Sequence, residues 1–278
     1  MTLVTSTLRA ADGAQLHVAH QLPQGAPKAV VLLVHGYAEH SGRYQHVIDA
    51  LSGAGYAVYT LDHRSHGRSE GVRAYVESIH QVAADLYLYF QGIKAAHPGV
   101  KCFVYGHSMG ALISLVFAIE HQREIDGLIT SGAPVLADAN VAPAMVTLGK
   151  ILHRIAPKLA LLPFGDEGVL SRDPQVDIAV NADPLHYTGS MRVGTGMAIN
   201  TAAQWARDRL EELRLPLLAF HGAADALVTP KGSEMLHARA RSADKTLTLY
   251  PDMRHEPHNE IGKEQVIADV IAWLNRHV

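Results

Sequence analysis

Three residues far apart in the chain offer the most chemistry: a serine in Gly106-His107-Ser108-Met109-Gly110, an aspartate in His221-Gly222-Ala223-Ala224-Asp225, and a histidine in Pro251-Asp252-Met253-Arg254-His255. A serine hydroxyl is a poor nucleophile at neutral pH. Its attack on a carbonyl needs a base to take the proton, and an imidazole base needs an acid to orient it. The spacing around the serine has a steric reason. Gly-x-Ser-x-Gly follows the buried-looking run Cys102-Phe103-Val104-Tyr105 and precedes Ala111 to Phe117, which reads as helix, so Ser108 falls on a sharp strand-to-helix turn. Side chains at 106 and 110 would clash in such a turn, and the helix N-terminus beyond it favours developing negative charge.

The base and its orienter are expected in late loops. His255 follows a strand ending at Tyr250 and Asp225 follows one ending at Phe220, so both emerge on the same sheet edge as Ser108. The chain order Ser, Asp, His is the order used by the α/β-hydrolase fold. His258 and His107 are rival bases and Asp252 a rival acid, although Asp252 shares a loop with the base and reaches its ring less easily. A tetrahedral intermediate also needs donors for its oxygen, and one good donor is worth roughly 3 to 4 kcal/mol. The backbone N–H groups of Met109, just after the serine, and Tyr37, in His35-Gly36-Tyr37, are the candidates for this oxyanion hole.

The elements that must hold these groups are legible as apolar runs. Ala11-Asp12-Gly13-Ala14 separates two short segments that read as an antiparallel hairpin. Continuous apolar stretches at 29–34, 57–61, 102–105, 127–130, 217–220 and 246–250 are too short for helices and fit strands covered on both faces. Ile79, Val82, Ala83, Leu86, Phe90 and Ile93 mark one helix, and Val266, Val270, Ile271 and Leu274 mark the last. Strands alternating with helices predict a mostly parallel central sheet flanked by helices. From about Leu136 to Arg207 no strand pattern appears, and Pro143, Pro157, Pro163, Pro174 and Pro184 divide the segment into short helical pieces and loops. Residues 136–207 are therefore expected to form a mainly helical cap inserted into a core made of 1–135 and 208–278.

At 278 residues, 48% apolar and 18% charged, the chain is long enough for one large core and has the composition of a globular protein. A net charge of −3 without a Lys/Arg run excludes the usual nucleic acid footprint. The single cysteine, Cys102, excludes an intrachain disulfide. Eighteen histidines invite a metal reading, but His255-Glu256-Pro257-His258 misses the HExxH spacing by one residue and carries a helix-breaking proline, so no metal is expected. The segment Met1 to Thr7 lacks a secretion signal, and no run is long enough to span a membrane, which predicts a cytoplasmic location.

Several motifs together resemble the monoacylglycerol lipase family: His35-Gly36-Tyr37-Ala38-Glu39-His40-Ser41-Gly42-Arg43-Tyr44, Leu61 to Gly71, Gly106 to Gly110, and His221 to Asp225. Within the cap, Leu170-Ser171-Arg172-Asp173-Pro174 and Asn181-Ala182-Asp183-Pro184-Leu185 are similar to the same family. The resemblance implies hydrolysis of a small lipid ester, a monoacylglycerol, to fatty acid and glycerol without a cofactor. It also implies that Glu39, Arg43 and His258 contact the glycerol head group; the plainer alternative is a Glu39–Arg43 ion pair that braces the loop. One departure is Ser65, where the family carries glycine. Ala144 to Ile155 is apolar with a few basic residues, which suits a lid that lines an acyl tunnel or touches a membrane surface, or simply packs on the core. The same triad would equally serve a lysophospholipase or a broad carboxylesterase. A ligand-binding protein that kept the fold without turnover is the reading from another class.

Overall fold

The side chains of one central strand explain the layering. The computed structural model describes residues 3–137, 143–162 and 167–278, and of 143–146 and 162 the backbone only. In β3 (Val30–Val34), Val30, Leu32 and Val34 face one apolar cluster while Val31 and Leu33 face another. Alternation with period two thus buries both faces, and each fully buried Leu contributes about 1.5–3 kcal/mol.

Around it lie β1 (Val4–Arg9), β2 (Gln15–Gln21), β4 (Ala57–Leu61), β5 (Cys102–His107), β6 (Gly127–Ser131), β9 (Leu217–Gly222) and β10 (Lys245–Tyr250). The strand order is β1-β2-β4-β3-β5-β6-β9-β10. From β4 to β10 every neighbouring pair is parallel, and the hairpin β1–β2 adds an antiparallel edge. On the first face, α2 (Ile79–Ala96) and α3 (Met109–His121) bury Leu86, Phe90, Leu112 and Leu115. On the second, α1 (Gln45–Gly53) and α8 (Lys263–His277) bury Val47, Ile48, Leu51, Trp273 and Leu274. α7 (Lys231–Arg239) links β9 to β10. The C-terminal ends of the parallel strands all open on one edge, where the loops after β3, β5, β9 and β10 converge.

Between β6 and β9 run α4 (Pro143–Ile155), β7 (Ala160–Leu162), α5 (Pro174–Ala182), β8 (Met191–Arg192) and α6 (Val193–Arg207). Two expectations are corrected here. β7 and β8 form a small antiparallel sheet where no strand was expected, because two and three residues are too few to show a period. α6 is a continuous helix of 15 residues, not a short piece, and its small buried faces, Ala198, Ala202, Ala203 and Ala206, gave little apolar signal. Pro143 and Pro174 stand at helix starts, where the missing N–H costs nothing. Pro163, with 138–142 and the rest of 163–166, lies outside the described residues of the expected cap.

Candidate active site

Ser108 joins the end of β5 to the start of α3 with φ 53° and ψ −123°, on the left-handed side of backbone space that a serine enters only under strain. The neighbours explain why glycine flanks it. A Cβ on Gly106 would run into the Gly110 carbonyl and Ser114 Oγ, and one on Gly110 would strike the carbonyl oxygens of Val34 and His35. The Ser108 N–H donates to Ser131 O at 2.8 Å, locking the turn to β6. Met109 is the first residue of α3, so its N–H has no carbonyl partner within the helix.

The three residues singled out for chemistry meet at this edge. His255 Nε2 lies 2.9 Å from Ser108 Oγ, and its Nδ1 lies 2.7 Å from Asp225 Oδ2. Since a carboxylate only accepts, Nδ1 carries the proton and Nε2 is free to receive one from the serine. Asp225 is itself held on both oxygens. Oδ1 accepts from the N–H groups of Leu227 and Val228 at 2.8 Å each, and Oδ2 accepts a second bond from His221 Nε2 at 2.9 Å. His221 donates from Nε2, which faces only acceptors, Asp225 Oδ2 and the Val228 carbonyl at 3.1 Å, so its Nδ1 accepts from the Ser233 hydroxyl at 2.7 Å. His221 was not anticipated, although its place four residues before Asp225 offered a signal.

Electrostatics follow from these bonds. Burial opposes charging His255, but the Asp225 carboxylate outweighs it and raises the imidazole above its ordinary value. Burial likewise opposes ionising Asp225, yet His255 and the donated hydrogen bonds hold it well below the usual carboxylate range. The arrangement stores a proton acceptor beside the hydroxyl and a fixed negative charge behind it. The rivals are otherwise engaged or exposed, although His107 lines the same cavity. His107 Nδ1 bonds Ser131 Oγ at 3.1 Å, and Asp252 stands exposed at the surface.

The loop after β3 closes the site. A Cβ on Gly36 would sit 3.2 Å from Ser108 Cβ, so the Gly36–Tyr37 backbone lies directly against the serine. Glu39 Oε1 accepts from the Gly36 N–H at 2.6 Å and thereby fixes this approach. Glu39 also lines the cavity next to Ser108, as a head-group contact requires. Arg43 and His258 depart from that expectation. Neither is among the residues lining the cavity, because Arg43 is bonded to Glu39 and Glu256, and His258 is fully buried, stacked on Tyr44 at 4.8 Å. Burial pushes the His258 imidazole down to about 3, so it is neutral near pH 7.

The cavity has a volume of about 260 Å³. It is lined by Ser108, His255 and Glu39 from the loops at the sheet edge and by the wall residues Val169, Leu170, Val180, His186 and Tyr187. Those wall residues come from the segment between β6 and β9, where periodicity gave no means of choosing them. That segment is stitched to the catalytic loops. The Tyr187 N–H donates to Ala38 O at 2.8 Å, His40 Nε2 bonds Asp183 Oδ2 at 2.7 Å, and the Glu256 N–H donates to Leu170 O at 2.8 Å. The buried Glu260 accepts from the N–H groups of Arg172 at 3.0 Å and Arg254 at 2.9 Å. Among the described residues, no cluster of three or more His, Cys, Asp or Glu is arranged to hold a metal ion.

Comparison with known proteins agrees with this geometry. Residues 25–262 match the Hydrolase_4 family, described as "Serine aminopeptidase, S33". The chain is 37% identical to "Monoacylglycerol lipase" of Mycolicibacterium smegmatis over 257 residues, which cover 92% of this chain and 91% of that protein. It is 34% identical to "Monoglyceride lipase" of Homo sapiens over 270 residues, 96% of this chain and 88% of the other. The chain belongs to the monoacylglycerol lipase family of serine hydrolases. Family membership carries the α/β-hydrolase fold with it: the crystal structure of Paleococcus ferrophilus monoacylglycerol lipase superimposes with a TM-score of 0.83 at 29% identity, covering 100% of both chains.

Proposed function

We propose that the chain hydrolyses monoacylglycerols to free fatty acid and glycerol, with Ser108 as nucleophile, His255 as base and Asp225 as the base's orienter. The observation that carries this reading is the 2.9 Å contact between His255 Nε2 and Ser108 Oγ, backed by Asp225 on the other ring nitrogen. Ser108 Oγ attacks the ester carbonyl as its proton passes to His255. The N–H groups of Tyr37 and Met109 hold the oxyanion. Collapse breaks the bond to the glycerol oxygen, which leaves with the proton from His255. Water then attacks the acyl-serine, His255 takes its proton, and return of that proton to Ser108 Oγ frees the fatty acid. No cofactor enters these steps.

The size of the cavity supports a substrate with one acyl chain, since about 260 Å³ is at the small end for ligand sites. Glu39 supports head-group recognition from the cavity wall, with Arg43 and His258 behind it. Residues 136–207 act as a lid over the core formed by 1–135 and 208–278. The lid's α4 supports a transient membrane contact: Leu148, Ile151 and Ile155 are exposed there beside Lys150 and Arg154. No described helix is long and apolar enough to cross a membrane.

The decisive experiment compares monoacylglycerols, diacylglycerols, triacylglycerols, lysophospholipids and small synthetic esters. Monoacylglycerols are expected to be preferred, and fluorophosphonate labelling is expected to be stoichiometric and lost in Ser108→Ala. A preference for lysophospholipids, or activity that ignores the alcohol, replaces the reading with a lysophospholipase or a broad carboxylesterase. Absent labelling points to a ligand-binding protein.

A further inference from the structure

Two loops meet at Ser108 from distant parts of the chain, and one guanidinium joins them. The loop after β3 carries Tyr37 and is shaped by Glu39, whose Oε1 accepts from the Gly36 N–H at 2.6 Å and from the Tyr44 hydroxyl at 2.6 Å. The loop after β10 carries His255, followed immediately by Glu256. Arg43 Nη1 donates to Glu39 Oε2 at 2.7 Å and to Glu256 Oε1 at 2.7 Å, and Nη2 donates to Glu256 Oε2 at 2.8 Å. The Asn259 side chain adds a bond to Glu256 Oε2 at 2.7 Å. Both acids are buried, at 2% exposure for Glu39 and 3% for Glu256, and the Arg43 side chain between them is nearly so at 11%. A planar fork bonded to a carboxylate at two points fixes angle as well as distance, which a point charge does not.

We propose that Arg43 is a positioning residue that clamps Glu39 to Glu256, sets the Tyr37 N–H against the His255 imidazole, and so contributes to turnover of every ester regardless of its alcohol. This rests on the Ser108–His255–Asp225 reading. Two observations separate the role from recognition of the glycerol head group. Both partners of Arg43 line the cavity and Arg43 does not. Its bonds to them cross the gap between the two loops, whose members are 213 residues apart in sequence.

The charges point the same way. One cation between two acids leaves a net negative cluster next to His255, and Glu256 and Glu39 both favour the imidazolium that forms as Ser108 loses its proton. Despite its burial, Glu256 is held well below the ordinary carboxylate range by Arg43, whereas burial raises Glu39 against the pull of the same guanidinium. Without Arg43 the two carboxylates would repel across a dry gap and the loops would part. A misplacement of about 1 Å at the reacting groups can cost about a hundredfold in rate.

Arg43→Met and Arg43→Lys test this, with kcat and KM measured on a monoacylglycerol and on the methyl ester of the same acid. The expected result for Arg43→Met is a loss in kcat of about 10- to 100-fold, equal for the two esters, with KM changed less than about threefold. Arg43→Lys is expected to recover part of it, and fluorophosphonate labelling is expected to slow in step. If Arg43→Met fails to fold by circular dichroism, Glu256→Gln carries the same prediction at smaller size, because the Arg43–Glu39 pair stays intact. A loss confined to KM for the monoacylglycerol, or no loss on either ester, overturns the proposal. Ser108→Ala keeps the two ideas apart: activity surviving that change defeats the triad reading itself, whereas its abolition leaves the Arg43 result to be judged alone.

Discussion

In the loops at the sheet's C-terminal edge, Glu39, Asp62, His66, Asp225, His255 and Glu256 are buried polar groups, whereas along α4 and β7 Leu148, Ile151, Ile155 and Leu161 are apolar and exposed. Each region reverses the ordinary partition between inside and outside, and for opposite reasons. The buried acids are satisfied: Asp62 Oδ1 accepts from the Ser41 N–H and hydroxyl at 2.9 and 2.6 Å, and Asp225 accepts four bonds. Buried polarity is tolerable when every lone pair is used, and it then fixes geometry. The exposed side chains along α4 have no such closure among the described residues. Internal bonds fix the geometry of the buried set, while the exposed face of α4 is where the proposed contact with a lipid surface would fall.

The largest test of that division is Asp225→Asn, which exchanges an acceptor for an amide at the centre of the buried set. Turnover is expected to fall about 10⁴-fold with the circular dichroism spectrum unchanged, since the imidazole loses both its orienter and its charge. The base must be neutral to act, so wild-type kcat/KM declines as pH falls through the raised pKa of His255, above 6.5. In the variant that acid limb shifts to lower pH. Activity retained near the wild-type level assigns the role to Asp252 instead.

A second test strains the buried set as a whole. Burial lowers His63 to about 3 and His66 to about 4, and holds His35 well below 6.5. Below pH 6.5 the unfolded chain binds protons at these three positions and the folded one does not, so the stability they contribute is complete above 6.5 and drains as pH falls toward the folded values. Three protons correspond to about 4 kcal/mol per pH unit at the steepest. Thermal melts between pH 7 and 5 check this, and a flat profile contradicts it.

The exposed region should respond differently. Ile151→Asp is expected to weaken sedimentation with lipid vesicles and to lower activity on dispersed monoacylglycerol about tenfold, while leaving a soluble short-chain ester untouched. Equal loss on both substrates would move α4 from access to catalysis. The smallest effect concerns Ser65, a non-glycine residue that sits at φ 68°. Ser65→Gly is expected to raise stability by up to about 1 kcal/mol without changing kcat, because the left-handed conformation is strained for a side chain and relief is partly offset by unfolded-state entropy.

The same division decides what could be read before any coordinates. β3 is a run of buried Val and Leu with no polar interruption, and local composition alone announces it; β4, Ala57–Leu61, is buried throughout and interrupted only by Tyr59 and Thr60, both good strand formers. Gly-x-Ser-x-Gly was legible for a steric reason, since the collisions at Gly106 and Gly110 leave no other residue type. Residues whose role lies in a long-range bond were not. Glu256 gains its meaning from Arg43, and nothing within a window of ten residues reveals a partner 213 positions away; His221, four residues before Asp225, is the exception, with its partner in local reach. β7, β8 and the wall residue His186 were hidden likewise, being shaped by what they pack against.

Leu170 O and the Arg172 backbone are bonded to Glu256 and Glu260, and Asp183 and Tyr187 to His40 and Ala38. Residues 168–172 and 183–187 therefore travel with the catalytic loops, although they lie within the stretch that joins β6 to β9. A chimera meant to import another enzyme's chain-length preference should keep these two stitches native, or the graft will disturb the loops that carry Tyr37 and His255 along with the cavity wall.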